Sequence, residues 1–234
     1  MRIRDRLLDV LYPPRCLVCG QGGVPGRDLC LACAAELPWQ GHACTHCALP
    51  LPAGSSERCG RCQRRRPAFD SARAVFEYRP PLDSLLPRLK YGARLSHGRL
   101  LGQLMAERLA PGLEMRPDCV LPVPLHRRRL TERGFNQALE LARPVARALG
   151  VPLAMDGVRR VRSTPPQVGL AAKARRANLR GAFELRSGFR PAHVLIVDDV
   201  MTTGATVDEL ARVLKRAGVR RVDVWACARA APGK

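Results

Sequence analysis

The sequence contains few aromatic residues, few acidic residues and no long apolar run. Aromatic residues make up 4% of the 234 residues, and 20 Asp and Glu face 40 Lys and Arg, for a formal net charge of +20. So few rings argue against a protein that binds nucleic acid on an extended platform of stacked bases. No apolar stretch reaches the roughly 18 residues that a membrane-spanning helix needs. The hydrophobic fraction of 46% excludes a chain that is disordered throughout.

The first residues also lack the features of an export signal. Met1 to Arg6 is charged, Asp9 interrupts the short apolar stretch that follows, and Pro13 closes it. This stretch is too short and too broken for a secretory signal, so we expect a cytoplasmic protein. A short N-terminal helix is expected to pack on the second domain, and peripheral binding at the inner membrane face is the alternative. Its apolar residues are Leu7, Leu8, Val10 and Leu11.

The cysteines are concentrated near the start of the chain. Eight of the ten form four Cys-x-x-Cys pairs within the first 62 residues. This spacing places both thiols of a pair on one tight turn, where they can share a tetrahedral metal ion. Two structural zinc sites of four thiolates each account for them, with sequential pairing preferred and crossed pairing left open by the spacing. The predicted ligands are Cys16, Cys19, Cys30, Cys33, Cys44, Cys47, Cys59 and Cys62.

Three other interpretations of the cysteine pairs are weaker. Disulfides need an oxidising compartment, a thioredoxin-like centre uses a single pair, and an iron–sulfur cluster needs tighter spacing. The region is rich in Gly and Pro and too small to bury a core, so metal binding would supply its folding free energy. Cys119 and Cys227 lie in apolar stretches and are interpreted as small buried hydrophobic residues.

The composition changes after the arginine run that ends at Pro67 and divides the chain into two predicted domains. Residues 1–67 form the N-terminal helix and the double zinc module, and residues 68–234 form the second domain. In the second domain, strands are predicted at 74–78, 119–123, 192–197 and 222–226, and helices at 82–90, 99–109, 136–149 and 205–217. This alternation predicts an α/β fold, with a mostly parallel sheet covered by helices on both faces.

One segment of the second domain carries the chemistry. An apolar strand leads into Asp198 and Asp199, then into a turn with three threonines and Gly204, and then into a helix. Backbone amides at a helix N-terminus favour a phosphate, and the two acids can accept hydrogen bonds from a diol and hold Mg²⁺. A ribose 5-phosphate carries these groups. The strand and its two acids also resemble a Walker B strand of a nucleotide hydrolase. That interpretation would need a G-x-x-x-x-G-K-[ST] loop, which the sequence lacks.

The segment resembles the PRPP-binding motif of type I phosphoribosyltransferases, where PRPP is 5-phosphoribosyl 1-diphosphate. Four cysteine pairs followed by this domain resemble the ComF family of competence-related and GntX-like proteins, from Cys16 to about Arg229. Further matching stretches lie at 89–91, 120–125, 133–137, 164–167 and 175–183. The resemblance implies a type I phosphoribosyltransferase fold preceded by a small zinc-ribbon module.

The resemblance also implies roles for individual residues. Asp198 and Asp199 would contact the ribose hydroxyls with Mg²⁺ nearby, and Arg133 and Arg176 complete the implied catalytic set. A mobile flap is implied between Arg162 and Asn178, where Arg175 and Arg176 would close over the diphosphate. The implied PRPP- and phosphate-binding residues are Thr202, Thr203, Gly204, Ala205, Thr206, Pro124, Lys90, Thr164, Gln167 and Asn178.

Two functions of different classes follow from the resemblance and the charge. The first is Mg²⁺-dependent transfer of ribose 5-phosphate to an unidentified acceptor, in the context of DNA uptake or use of imported DNA. The second is a non-catalytic protein that senses PRPP or grips the phosphates of single-stranded DNA. Such a grip would be sensitive to salt. The competence context also implies a helicase-like DNA-translocation protein as a partner of the zinc module.

Overall fold

The computed structural model describes residues 13–92, 94–162 and 179–231. The helices in chain order are α1 (Leu31–Glu36), α2 (Gly60–Arg64), α3 (Leu82–Gly92), α4 (Leu95–Leu109), α5 (Arg127–Arg133), α6 (Gln137–Leu149) and α7 (Ala205–Arg216). The strands are β1 (Ser71–Glu77), β2 (Cys119–Pro122), β3 (Val158–Arg160), β4 (Phe183–Leu185), β5 (His193–Met201) and β6 (Arg221–Arg229). A short 3₁₀ turn, Ala110–Gly112, follows α4.

Four strands form a parallel sheet in the order β1-β6-β5-β2. The two central strands, β5 and β6, are buried on both faces because each is apolar at successive positions. In the register of this pair, Val194 lies opposite Val222 and Asp198 lies opposite Ala226. The predicted α/β fold with a mostly parallel sheet is confirmed.

Helices cover both faces of the sheet, and each face also packs against one cysteine cluster. On one face, Ile196 and Val224 belong to the same core as Leu210 of α7 and the cysteines between Cys44 and Cys62. On the other face, Leu195 and Trp225 belong to a core that includes α3, α4, α6, Cys16 and Cys33. The N-terminal cysteine module therefore supplies apolar contacts to both sides of the sheet. Cys119 and Cys227 are buried, one in each core, as predicted.

Local sequence signals explain the ends of the helices. Asn136 caps α6 by accepting a hydrogen bond from the amide of Ala138 at 3.0 Å, and Gly150 ends it with a φ of 63°. Helix α7 buries Val207, Leu210, Ala211 and Leu214, the spacing that predicted it. In the part of the chain that the structure describes, no helix is long and apolar enough to cross a membrane.

Three features differ from the sequence-based expectations. Strand β5 continues through both acids to Met201, whereas the sequence predicted that it ends before them. Helix α5 occupies the basic run at 127–133, for which no element was predicted. The antiparallel pair of β3 and β4 was also missed, because strands of three residues are too short to show a period of two.

Helices α4 and α6 approach closely at two glycines of α4. A Cβ atom placed on Gly102 would lie 2.7 Å from the backbone oxygen of Leu141 and 2.9 Å from Cγ of Pro144. A Cβ atom on Gly98 would lie 2.9 Å from Cβ of Glu140. The backbones can pack at this distance only because both positions lack a side chain.

We expect the substitution Gly102→Ala to lower the free energy of unfolding by about 1–2 kcal/mol, measured by urea denaturation. Alanine gains up to about 1 kcal/mol in helix propensity, but overpacking against a backbone atom costs about 1–3 kcal/mol. Gly41→Ala is the control, since no atom lies within 4 Å of its added Cβ. A Gly102→Ala protein more stable than the wild type would show that the helices separate at little cost.

Candidate functional site

Two adjacent acids lie near the carboxyl end of the central strand β5. The side chains of Asp198 and Asp199 are on opposite sides of the strand because successive side chains alternate. Only 9% of Asp198 and 5% of Asp199 is exposed. An oxygen of Asp198, Oδ1, accepts a hydrogen bond from the amide of Asp199 at 2.9 Å. Burying two neighbouring carboxylates is unfavourable unless other groups compensate for their charge.

Lys90 supplies one compensating charge. It lies on α3, and its Nζ forms an ion pair with Oδ2 of Asp199. Burial alone would raise the pKa of Asp199, but the Lys90 ammonium outweighs it and holds that pKa below its usual range. Burial likewise opposes the charge on Lys90, yet the two carboxylates raise the pKa of Lys90 above its ordinary value. The structure thus brings Lys90, predicted from the resemblance, to one of the two acids.

The pKa of Asp198 is shifted in the opposite direction from that of Asp199. Burial and the neighbouring Asp199 charge raise its pKa well above the ordinary value. Burial and the charge of Arg129 lower the pKa of the Arg160 guanidinium on β3. The Asp198 carboxylate opposes this shift. Asp198, a buried carboxylate short of compensating charge, is an oxygen donor of the kind Mg²⁺ prefers. It therefore offers a ligand to a divalent cation at this end of the strand.

The turn after β5 presents a helix N-terminus. Gly204 is the N-cap of α7 and has a φ of 75°, a left-handed conformation that glycine adopts without strain. The hydroxyl of Thr203 accepts a hydrogen bond from the amide of Ala205 at 3.3 Å, and Thr202 is exposed. The first amides of α7 and its dipole make this turn suited to an anion such as a phosphate. The predicted residues 202–206 are together here, next to the acids.

Two arginines on the other side of this turn were not predicted to belong to the site. Arg229, only 2% exposed, donates to the carbonyls of Met201 and Thr202. Arg61 donates to the carbonyl of Thr203 at 2.9 Å. The sequence did contain a signal for Arg229, since this arginine ends an otherwise mostly apolar strand. A guanidinium buried there needs several hydrogen-bond acceptors.

A second part of the site follows strand β2. The amide of Val123 bonds to the carbonyl of Val197 at 2.9 Å, which places the predicted Pro124 beside β5. Asn136 donates to the carbonyl of Val123 at 3.1 Å and so fixes the turn to the start of α6. This is the carboxyl edge of the parallel sheet, where ligands bind in open α/β folds.

Arg133 and Tyr91 lie together near this edge. Arg133 donates to Oε1 of Gln137 at 2.6 Å, and its guanidinium is 5.3 Å from the centre of the Tyr91 ring. Tyr91 follows Lys90 directly, is 79% exposed, and is the one exposed aromatic residue in the described parts of the chain. Tyr91 was not assigned a role from the sequence, because only the structure shows that its ring is exposed beside charged residues.

Residues 163–178 of the predicted flap fall outside the described residues. This applies to five of the predicted site residues: Thr164, Gln167, Arg175, Arg176 and Asn178. The chain on either side of it is fixed, since the amide of Val161 bonds to the carbonyl of Ala182 at 2.9 Å. Arg162 also donates to the carbonyl of Arg180 at 2.9 Å.

The eight N-terminal cysteines form two compact clusters. One contains Cys16, Cys19, Cys30 and Cys33, the other Cys44, Cys47, Cys59 and Cys62, and the four sulfurs of each lie within 4.8 Å of one another. This confirms sequential pairing and excludes the crossed alternative. Zinc–sulfur bonds of about 2.3 Å in a tetrahedron place sulfurs about 3.8 Å apart. The Sγ atoms of Cys19 and Cys30 are 3.8 Å apart, and those of Cys47 and Cys59 are 3.6 Å apart.

Each cluster contains one thiol whose environment favours the thiolate form that binds zinc. Burial opposes ionisation of Cys16 and Cys44, but nearby backbone amides lower the pKa of Cys16 to about 6 and that of Cys44 to about 7. Hydrogen bonds from neighbouring thiols raise the pKa of Cys33, and burial raises those of Cys47 and Cys62, so these thiols need the metal charge to ionise. The geometry and the chemistry of both clusters fit zinc ions. Cys30 also accepts a hydrogen bond from the amide of Cys33 at 3.4 Å, and Cys44 from that of Cys59 at 3.3 Å.

Comparison with known proteins agrees with this architecture. Residues 7–63 match the family model described as "Double zinc ribbon domain", and residues 136–232 match that described as "Phosphoribosyl transferase domain". The chain thus joins a double zinc ribbon, with two four-cysteine sites, to a phosphoribosyltransferase domain.

Similar proteins identify the family. DNA utilization protein YhgH of Salmonella typhimurium is 38% identical over 206 residues, which cover 86% of this chain and 90% of that protein. Competence protein F of Haemophilus influenzae is 35% identical over 224 residues, which cover 92% of this chain and 97% of that protein. The chain belongs to the ComF family, as its motifs implied.

We expect the substitution Lys90→Met to make stability fall as pH rises. In the wild type, the lowered pKa of Asp199 gives stability that is present above about pH 4 and lost as the pH falls through the folded-state pKa. Without Lys90, burial raises that pKa, so the variant loses stability as the pH rises. The loss in unfolding free energy should be on the order of 3 kcal/mol at pH 8 and smaller at pH 5.

Urea denaturation across this pH range measures the effect. The double variant Lys90→Met/Asp199→Asn is the control, because it removes both charges and should recover much of the loss at pH 8. An equal loss for Lys90→Met at pH 5 and pH 8 would contradict the role of Lys90 as the charge partner of Asp199.

Proposed function

We propose that this protein binds PRPP with Mg²⁺ at the carboxyl edge of the sheet and transfers its ribose 5-phosphate to an acceptor. The observation that carries the proposal is the juxtaposition of two buried acids on β5 with the phosphate-compatible turn that leads into α7. The 5-phosphate would bind the amides of residues 203–206, and the ribose diol would bind Asp198 and Asp199. Membership of a family with a phosphoribosyltransferase domain supports this assignment.

The charges at the site support this placement of the ribose diol against the two acids. Lys90 keeps Asp199 ionised, so this carboxylate can accept hydrogen bonds from a hydroxyl without a change of protonation. Burial and the neighbouring Asp199 charge raise the pKa of Asp198, and a bound cation would favour its charged form. Mg²⁺, when bound, would neutralise charge on the diphosphate leaving group. The positive charge of Arg160 interacts with the carboxylate of Asp198 and would also attract the bound diphosphate.

The reaction would be a displacement at C1 of the ribose. The bond from C1 to the diphosphate oxygen breaks, the oxygen keeps the electron pair, and a lone pair of the acceptor forms the new bond to C1. The protein would hold the diphosphate charge and exclude water, so no residue needs to act as a covalent nucleophile. The exposed ring of Tyr91, covered by Arg133 on one face, offers its other face to a planar acceptor.

The names of the similar proteins suggest a cellular setting. One is called a DNA utilization protein and another a competence protein. We propose that this protein acts in the cytoplasm on nucleotides or bases that come from imported DNA. A helicase-like translocation protein that contacts the zinc ribbon would connect uptake to this step.

We expect the substitution Asp198→Asn to weaken PRPP binding at least about tenfold, since one charge-assisted hydrogen bond is worth roughly 1.5–3 kcal/mol. Because the pKa of Asp198 is raised, the affinity of the wild type should rise with pH more than that of the variant, which has no carboxyl group at this position.

Titration calorimetry with PRPP and Mg²⁺ at several pH values measures the affinity of the wild type and the variant. Asp83→Asn is the matched control, since Asp83 is an exposed acid on α3. Unchanged affinity of Asp198→Asn, with the protein folded, would refute the assignment.

A second candidate function is a grip on DNA phosphates. Arg61, Arg65 and Arg66 line a small crevice together with Thr203 and Gly204, so the zinc ribbon places positive charge beside the phosphate-binding turn. Arg65 and Arg66 are exposed and could contact a strand of DNA. Because the described aromatic residues offer one exposed ring, such binding would depend on phosphates more than on base stacking.

Affinity for a single-stranded oligonucleotide should fall steeply with salt, with a slope of roughly −0.7 per neutralised phosphate on a logarithmic plot. Replacing both Arg65 and Arg66 by alanine should flatten this slope by about 1.4. Fluorescence anisotropy across a salt series measures it, with Arg143→Ala as the control because Arg143 pairs with Glu140 on α6. A slope identical in the wild type and the double variant would exclude these arginines from the DNA contact.

A further inference from the structure

The two zinc-binding clusters are connected to the second domain in different ways. Around the first cluster, Arg27 pairs with Glu107 and Asp28 pairs with Arg99, so its polar contacts lead to α4. Around the second cluster, the polar contacts lead to the turn at 201–204, as described for Arg61 and Arg229. Among the described residues, polar contacts therefore connect the second cluster, and not the first, to the proposed PRPP site.

We propose that the second zinc cluster, through Arg229 and Arg61, positions the phosphate-binding turn, so that zinc and PRPP binding are energetically coupled. The proposal rests on the proposed function, since it concerns the same turn. Arg229 and Arg61 are positioning residues: they contact the turn from behind and are not placed against the ligand.

Arg229 connects the cluster directly to the turn. Its Nε donates to the carbonyl of Cys47, a zinc ligand, at 3.0 Å. Its Nη1 donates to the carbonyl of Met201 at 2.8 Å and to that of Thr202. One rigid, planar guanidinium thus fixes the distance between a ligand-bearing turn of the zinc ribbon and the turn after β5.

Arg61 makes the second connection. It lies on α2 between the ligands Cys59 and Cys62, and its Nη1 donates to the carbonyl of Thr203 at 2.9 Å. Helix α2 has five residues. Cys59 caps its start and Cys62 lies within it, so a cysteine lies on either side of Arg61. Metal binding by these cysteines would therefore fix the backbone that carries Arg61.

These bonds orient the amides that a phosphate would use. In a planar trans peptide, the carbonyl of one residue and the amide of the next point in opposite directions. Arg229 and Arg61 bind three successive carbonyls, so the amides of Thr202, Thr203 and Gly204 each point away from the guanidinium that holds the preceding carbonyl. Within the described residues, the amides of Thr203 and Gly204 have no hydrogen-bond acceptor. They are available to an anion.

Coupling between two binding sites is reciprocal. If zinc at the second cluster orders the turn for PRPP, then bound PRPP must in turn stabilise zinc at that cluster. The described residues around the first cluster make no such contact, so its zinc should be bound equally tightly with and without PRPP. This difference within one chain separates positioning of the turn from a general effect on stability.

The experiment titrates the zinc-loaded full-length protein to equilibrium with the chromogenic chelator 4-(2-pyridylazo)resorcinol, with and without saturating PRPP and Mg²⁺. We expect PRPP to tighten the binding of one of the two zinc ions by about fivefold or more and to leave the other unchanged. Cys19→Ser, which removes a ligand of the first cluster, should lose the unaffected zinc and keep the protected one.

Arg61→Ala tests the connection itself. It should keep two zinc ions and lose most of the protection by PRPP, whereas Arg61→Lys should recover part of it by retaining one donor to Thr203. Arg27→Ala, at the first cluster, should behave as the wild type. PRPP that binds by calorimetry but protects neither zinc, or both equally, would overturn the coupling and leave the proposed function standing. Failure of the wild type to bind PRPP at all would overturn both.

Discussion

Two neighbouring carboxylates lie in the buried central strand of this protein, and much of the surrounding structure compensates for their charge. Lys90 reaches Asp199 from α3, and the charge of Arg160 on β3 interacts with Asp198. The two acids are on opposite sides of one strand, so elements from both faces of the sheet must converge on its carboxyl end. A strand whose only role was structural would be more stable with apolar residues at these positions. The cost of burying both acids is the physical argument for a ligand.

The zinc ribbon is part of the same structure and is not a separate attachment. Its cysteines belong to the apolar cores on both faces of the sheet. An extended segment between the two clusters reaches the edge strand β1, where the amide of Gln40 bonds to the carbonyl of Val75 at 2.8 Å. The rings of Trp39 and Phe76 are 4.8 Å apart at this contact. A module too small to fold by burial alone thus uses metal ligands and the edge of a larger domain.

Local sequence patterns predicted the parts of the site that are contiguous in the chain. The segment from Val194 to Thr206 contains its strand, acids, turn and helix in order, and the cysteine spacing predicted both clusters. The partners of this segment were harder to find. Arg61 and Thr203 are 142 residues apart, and Arg229 and Cys47 are 182 apart, so only tertiary structure brings them together. Lys90 was predicted only through the family resemblance.

The account as a whole depends on the turn after β5 receiving the phosphate of a ribosyl ligand while the acids receive its diol. A crystal structure of the protein with PRPP and Mg²⁺ tests this most directly. The account predicts the 5-phosphate on the amides of residues 203–206 and the ribose hydroxyls within hydrogen-bond distance of Asp198 and Asp199. A bound PRPP that contacts neither acid, or a phosphate located away from this turn, would contradict it.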